Sequence, residues 1–249
     1  MGRPFTLALA VSFLLPLGGA PETLRYRIEQ SFEQKIDLSS MGQGEQNVAA
    51  SSSIFLTVQV DDSAGGKAVT ATVDSLVFGP GANPAVVQQM GAINGATGSG
   101  FIAADGEISG FAPADSTGPS VKGFVQSVFP KLSRKPAAGD RWSDTTSATD
   151  TTGGQVITRS VVTSYTATPG QGGAVALSTS GSYSLSGIVN NGMTLDGTGR
   201  STGSYELMPR GFIRSGTFAD TSDMSVVPPM ANDVIPIVNT QNTVITLLP

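Results

Sequence analysis

Neither cysteine nor histidine occurs in the 249 residues of this chain. The missing thiols exclude disulfides, thiolate nucleophiles, zinc–thiolate sites and lipid attachment through cysteine. The missing imidazoles remove the commonest general base and the commonest transition-metal ligand. Charge is scarce as well: Asp, Glu, Lys and Arg make up 13% of the residues, about half the usual share. The balance is acidic, with a net charge of −5, and the 14 Lys and Arg are thinly spread, so nucleic-acid phosphates find no basic patch to meet. The densest basic grouping, Lys131, Arg134 and Lys135, reads as a solvated loop after a helix. Aromatic residues are only 6%, too few for the two interfacial girdles of an outer-membrane barrel.

Polarity comes instead from Ser, Thr, Asn, Gln and Gly, which suit strands and turns better than helix interiors. The 31 glycines and 15 prolines punctuate many short elements. Residues 1–20 read as a secretory signal peptide: Arg3 supplies the charged start, Phe5 to Leu17 the apolar run, and Gly18-Gly19-Ala20 the small residues for cleavage. Pro21 directly after Ala20 is unfavourable at a cleavage point, so the cut is not assigned to one bond. The apolar run is too short to span a bilayer, which takes about 20 residues as a helix, and no later segment is longer. The chain is therefore expected to be exported, either periplasmic or extracellular, with no transmembrane helix in its mature part.

Period-two alternation dominates the chain after residue 20. Leu24, Tyr26, Ile28, Phe32, Ile36 and Leu38 share one parity, while Arg25, Arg27, Glu29, Glu33, Lys35 and Asp37 share the other. This predicts one long strand with an apolar face and a charged face. Met41 to Gly44 predicts a turn, Ile54 to Val60 a returning strand, Asp61 to Gly66 a second turn, and Val69 to about Phe78 a third strand. Asn83-Pro84 starts a short helix reaching about Met90. A hairpin is expected around Ala104-Asp105-Gly106. Val121, Phe124, Val125, Val128 and Phe129 then form one helical stripe, with Pro119 in its first turn and Pro130 ending it. From Gly139 onward only strands are predicted, over 141–149, 155–168, 174–189, 193–207, 212–227 and 234–248, with Asn190-Asn191-Gly192 as a hairpin signal.

The expected fold is thus all-β with minor α. Residues 21–249 form a single domain, a large curved antiparallel meander, half-barrel or barrel-like, with a helical insertion near 84–130. Gly197, Gly199 and Gly203 share the parity of Met193, Leu195 and Tyr205. They read either as a bare strip for a ligand or, with more weight, as small residues that let the sheet bend or admit a bulky neighbour.

Candidate chemistry is sparse. The carboxylate pairs are Asp61-Asp62 and Asp105 with Glu107, at predicted turns, where Asp is common for backbone reasons, and Asp220 with Asp223, within the strand predicted over 212–227. Calcium-loop, S-x-x-K and phosphate-loop patterns do not occur. Trp142, the one tryptophan, reads as a packing anchor rather than a ligand platform. No catalytic residue, metal ligand or cofactor is assigned, and the chain is expected not to be an enzyme.

Leu24-Arg25-Tyr26 opening a charged strand, the Asp105-Gly106 hairpin, a helix ending at Phe129-Pro130, and Gly139-Asp140-Arg141-Trp142 together resemble a family of exported bacterial proteins of unknown function. The architecture is also similar to the half-barrel of periplasmic lipoprotein carriers, in which a curved sheet closed by helices holds acyl chains. This second likeness is one of fold alone. It implies a lipid-like or other hydrophobic ligand in a cavity between sheet and helix. The alternatives are an envelope interaction module with a solid core and, more distantly, a carboxylate-based glycan hydrolase.

Overall fold

The computed structural model describes residues 21–249 except 83, 114–117, 153–154, 190–191 and 230–232. Residues 1–20, expected to be a signal peptide, Asn83, the expected helix cap, and Asn190-Asn191 of the expected hairpin lie outside the described residues. The strands are β1 (Glu22–Asp37), β2 (Glu45–Ser63), β3 (Gly66–Phe78), β4 (Thr97–Ala103), β5 (Ile108–Pro113), β6 (Arg141–Thr152), β7 (Gln155–Pro169), β8 (Val175–Val189), β9 (Met193–Leu207), β10 (Ile213–Val227) and β11 (Ile235–Leu248). Two α-helices, α1 (Pro84–Gly91) and α2 (Gly118–Val128), fall between β3 and β6. The helical insertion therefore sits where the sequence predicts it. No helix among the described residues is long and apolar enough to cross a membrane.

All eleven strands form one antiparallel sheet, in the order β5-β4-β3-β2-β1-β11-β10-β9-β8-β7-β6. The chain's first and last strands lie side by side in the middle, from Arg25 opposite Leu248 to Ile36 opposite Ile237. The two meanders run outward from there to edges β5 and β6. These edges do not pair, so the sheet is open and not a barrel. A flat sheet would hold β4 and β7 about 38 Å apart, at roughly 4.8 Å per strand. Yet Ile102 of β4 and Val175 of β8, one strand nearer, line a single cleft of about 610 Å³, so the sheet must coil around its core. Register shifts at Phe55/Leu56, Ser99/Phe101 and Ile213/Ser215 assist the coiling.

Two boundaries differ from the sequence reading. Strand β2 begins nine residues before Ile54, at Glu45, because its polar run Glu45 to Ser53 ladders onto β1 although it buries little. The turn expected over Asp61 to Gly66 shrinks to Ala64-Gly65, with Asp61 and Asp62 still paired to β3. Gly65 has φ +82, the left-handed conformation that a two-residue hairpin needs.

The core sits at one end of the strands. Tyr26 and Ile28 of β1, Leu56 and Val58 of β2, and Ile245 of β11 are all 0–1% exposed. Tyr26 reaches across the interior to donate a hydrogen bond from its hydroxyl to the Ile213 carbonyl, 2.9 Å away. Val121, Val125 and Val128 of α2, followed by Phe129, close over this apolar floor and are buried, while Phe124 packs partly buried beside them. Phe129 meets Phe212 edge-on, with ring centroids 6.2 Å apart. Burying one such side chain contributes roughly 1.5–3 kcal/mol.

The end of α2 is pinned by the β4–β5 hairpin. Leu132 N–H donates to the Asp105 carbonyl at 2.7 Å. Gly106, at φ +88, lies so close that a Cβ there would sit 2.2 Å from the Pro130 carbonyl oxygen. Only glycine permits this approach.

A helix of 11 residues is about 16 Å long, whereas the 16 residues of β1 extend about 53 Å. The helix covers a third of the strand length at most. Along β1 the clean buried–exposed alternation accordingly stops at Ile28, and Gln30 onward is only partly buried or exposed.

Candidate functional site: the uncovered inner trough

Strand register assembles the inner face beyond the core as rows. One row runs Gln30 (β1), Thr243 (β11), Phe218 (β10), Gly203 (β9), Thr179 (β8), Tyr165 (β7). The next is Phe32, Gln241, Asp220, Ser201, Gly181, Thr163. Beyond it lie Gln34, Asn239, Ser222, Gly199, Tyr183, Val161, and finally Ile36, Ile237, Met224, Gly197, Leu185, Arg159.

The β9 glycines leave room for large neighbours and not for a ligand. A Cβ on Gly199 would lie 2.1 Å from the Tyr183 ring, one on Gly203 would lie 2.6 Å from the Phe218 ring, and one on Gly197 would lie 2.7 Å from Met224. The bulky-neighbour reading of this strip holds, and the bare-strip reading is corrected: the space is already filled by Tyr183, Phe218 and Met224.

Two adjoining hollows remain on this face. One, of about 400 Å³, lies among Phe32, Tyr183, Leu185, Phe218 and Met224, with Arg159 and Asp220 at its wall. The other, of about 340 Å³, lies between the flank of α2 at Gln126 and Ser127, with Pro130, and the sheet residues Tyr165, Tyr205 and Ile245. Both are bordered by Thr179, Phe218 and Thr243, so they form one trough. Beneath the helix stripe itself the interior is solid; the trough opens beside it.

Within the trough, the Tyr183 hydroxyl donates to Asp220 Oδ1 at 2.5 Å. The Arg159 guanidinium lies over the same ring, 4.2 Å from its centroid. Burial, with the Asp220 carboxylate second, raises the Tyr183 ionisation above the ordinary phenol value. Burial likewise raises Tyr205, which is tilted against Phe218. At the trough's β6 side the indole of Trp142 stacks on Tyr165, with centroids 4.6 Å apart and planes within 6°. Its Nε1 donates to Asp144 at 3.2 Å, and Arg134 lies over the ring. Trp142 is thus a packing anchor that ties the loop after α2 to the sheet.

The sequence-selected carboxylates do not converge. Asp220 faces the trough, whereas Asp223, three residues along the same strand, faces outward, since strand side chains alternate. Asp62 pairs with Lys67 at 2.9 Å and with Arg210 at 3.1 Å. These cations hold its carboxyl below the usual range. Asp105 caps its own turn by accepting the Glu107 N–H at 3.0 Å, and Glu107 pairs with Lys131 at 3.0 Å. Arg134 pairs with Asp140 at 2.7 Å, so two of the three clustered basic residues are neutralised locally. A further cleft of about 610 Å³ lies at the strand ends near Lys67, Arg134, Lys135 and Arg210; it is occupied at its rim by these ion pairs. Among the described residues no group of three acidic side chains is placed to hold a metal ion.

Sequence reasoning missed Arg159 and Tyr183 as a pair. The signal was present: Arg159 has the parity of Ile157, Val161, Thr163 and Tyr165, so it is a charged residue on an otherwise uncharged face.

The fold and trough define an open antiparallel half-barrel, closed at one end by an amphipathic helix. No family model matches the chain, and no curated protein or solved structure matches it either.

Proposed function

We propose that the chain is an exported, non-enzymatic binding protein that takes a lipid-like or other hydrophobic ligand in the trough beside α2. The observation that carries this reading is the mismatch of lengths. The strands run far beyond the helix, and the inner face they leave uncovered joins Phe32, Tyr183, Leu185, Phe218 and Met224 in one concavity. Concave, mostly apolar surfaces with a few polar groups are where small molecules bind. Export is supported by the charged start, apolar run and small residues of positions 1–20. Organic extraction of the purified protein, followed by mass spectrometry, is expected to release a stoichiometric amphipathic compound. Absence of any extract, together with failure to bind a hydrophobic fluorophore, would refute the proposal.

The solid packing under α2 favours a second reading, an envelope interaction module that uses its loops or sheet edges. Specific capture of an envelope protein by a ligand-free, fluorophore-silent chain would support it.

A further inference from the structure

We infer that Arg159 recognises the head of the ligand, which is an amphiphile carrying a single acidic group, carboxylate or phosphate, on a long apolar tail. The inference rests on the trough reading and names its ligand class. Its first support is the partition of charge. Strand β1 keeps Arg25, Arg27, Glu29, Glu33, Lys35 and Asp37 on its outer parity, and its one inner-parity charge, Glu22 at the first position, pairs with Arg210 at the end away from the trough. Following the same register, the inner parity of β6 holds Asp144 and Asp150, and through β7 to β11 it holds two charged residues, Arg159 and Asp220, of which Arg159 alone is a cation.

These two do not neutralise each other. Asp220 takes the hydroxyl tip of Tyr183, while Arg159 lies over the ring face. Arg159 forms no ion pair among the described residues. Stacking holds the guanidinium in place without using its in-plane donors. A planar fork whose N–H groups have no side-chain partner among the described residues matches two oxygens of a carboxylate or phosphate.

The second support is the direction of the walls. From Arg159 the trough runs past Leu185, Tyr183 and Phe218 to Tyr165 and the α2 flank. Arg159 and Tyr165 are six residues apart on one strand, about 20 Å. That is room for an extended tail with its head at the cation and its end under the helix.

The test uses the mature chain, delipidated, in calorimetric titrations below the micellar range. Hexadecanoate and hexadecyl phosphate are compared with hexadecanol, and acetate and inorganic phosphate serve as heads without tails. The acidic amphiphiles are expected to bind about tenfold or more tighter than the alcohol, the gain from a charge-assisted hydrogen-bonded pair. Arg159→Gln is expected to abolish that preference, so that the acidic amphiphiles bind the variant no tighter than the alcohol does, and Arg159→Lys to restore part of it. Asp220→Asn, which keeps an acceptor for Tyr183 but removes a nearby negative charge, is expected to tighten the acidic ligands.

Equal binding of acid and alcohol, or a preference that survives Arg159→Gln, overturns the role of Arg159 and leaves the trough reading standing. Binding of acetate or phosphate as tightly as the tailed forms overturns the amphiphile. No binding of any tailed compound overturns both.

Discussion

Replacing Gly199 with alanine tests directly why the inner face of β9 is rich in glycine. A Cβ at this position would meet Cζ, the hydroxyl oxygen and Cε2 of Tyr183 at 2.1, 2.4 and 2.6 Å, against the 3.4 Å or more of ordinary contact. The ring must retreat by more than an ångström. It is held by the hydroxyl bond to Asp220 and by the Arg159 stack, and it is 8% exposed. Overpacking of this kind costs about 1–3 kcal/mol. In a strand without the clash, alanine is instead neutral to favourable, because glycine loses more backbone entropy on folding. The two effects separate in a double-mutant cycle with Tyr183→Ala. Urea unfolding followed by circular dichroism is expected to show a loss of about 1–3 kcal/mol for Gly199→Ala in the parent. In the Tyr183→Ala background the same change should cost close to nothing, so the coupling energy is about as large as the single-mutant loss. An equal cost in both backgrounds would mean that glycine serves the backbone of β9 and not its neighbour, and would refute the fitting of Tyr183 against Gly199 in the trough wall.

Two further outcomes are expected from the core and from the titrating groups. Phe129→Ala, which empties the space between α2 and Phe212, is expected to cost about 3–5 kcal/mol, while the exposed Gln126→Ala on the same helix stays within about 0.5 kcal/mol; comparable losses for both would show that α2 is not the lid of the core. All four tyrosines, Tyr26, Tyr165, Tyr183 and Tyr205, ionise above the ordinary phenol value, chiefly through burial. Their folded values lie above their unfolded ones, so the stability they contribute is whole below about pH 10 and is lost as pH climbs through the folded values. With no histidine or cysteine, stability is expected to be flat from about pH 6 to about pH 9, and the phenolates of Tyr26 and Tyr205, the most strongly shifted, should form only together with alkaline unfolding. Phenolate from all four tyrosines near pH 10 in protein that is still folded would contradict the burial of Tyr26 and Tyr205.

Much of the fold was readable because a strand's side-chain period is two. The alternation of Leu24, Tyr26 and Ile28 with Arg25 and Arg27 named both the strand and its inner face, and the 121–129 stripe named the helix that covers it. What alternation conveys poorly is a strand that buries nothing. Glu45 to Ser53 has no apolar face, and its place in β2 comes from pairing with β1, which is a long-range interaction. The candidate site was half legible for a related reason. Parity placed the β9 glycines on the inner face, but whether their space was empty depended on side chains from β8 and β10. Asp220 and Asp223 look like a pair in the linear sequence, although three residues along a strand is the spacing that sets them on opposite faces.

By itself the sequence determined the class of most elements, the inner and outer face of the strands that alternate clearly, and several chemistries without a residue to perform them, because composition and local period do not depend on partners. Only the tertiary structure decided that β1 and β11 meet in mid-sheet, that β5 and β6 stay apart and leave the sheet open, and that Arg159, Tyr183 and Asp220 gather from three strands. Those are matters of register and coiling between segments far apart in the chain, and no local pattern carries them.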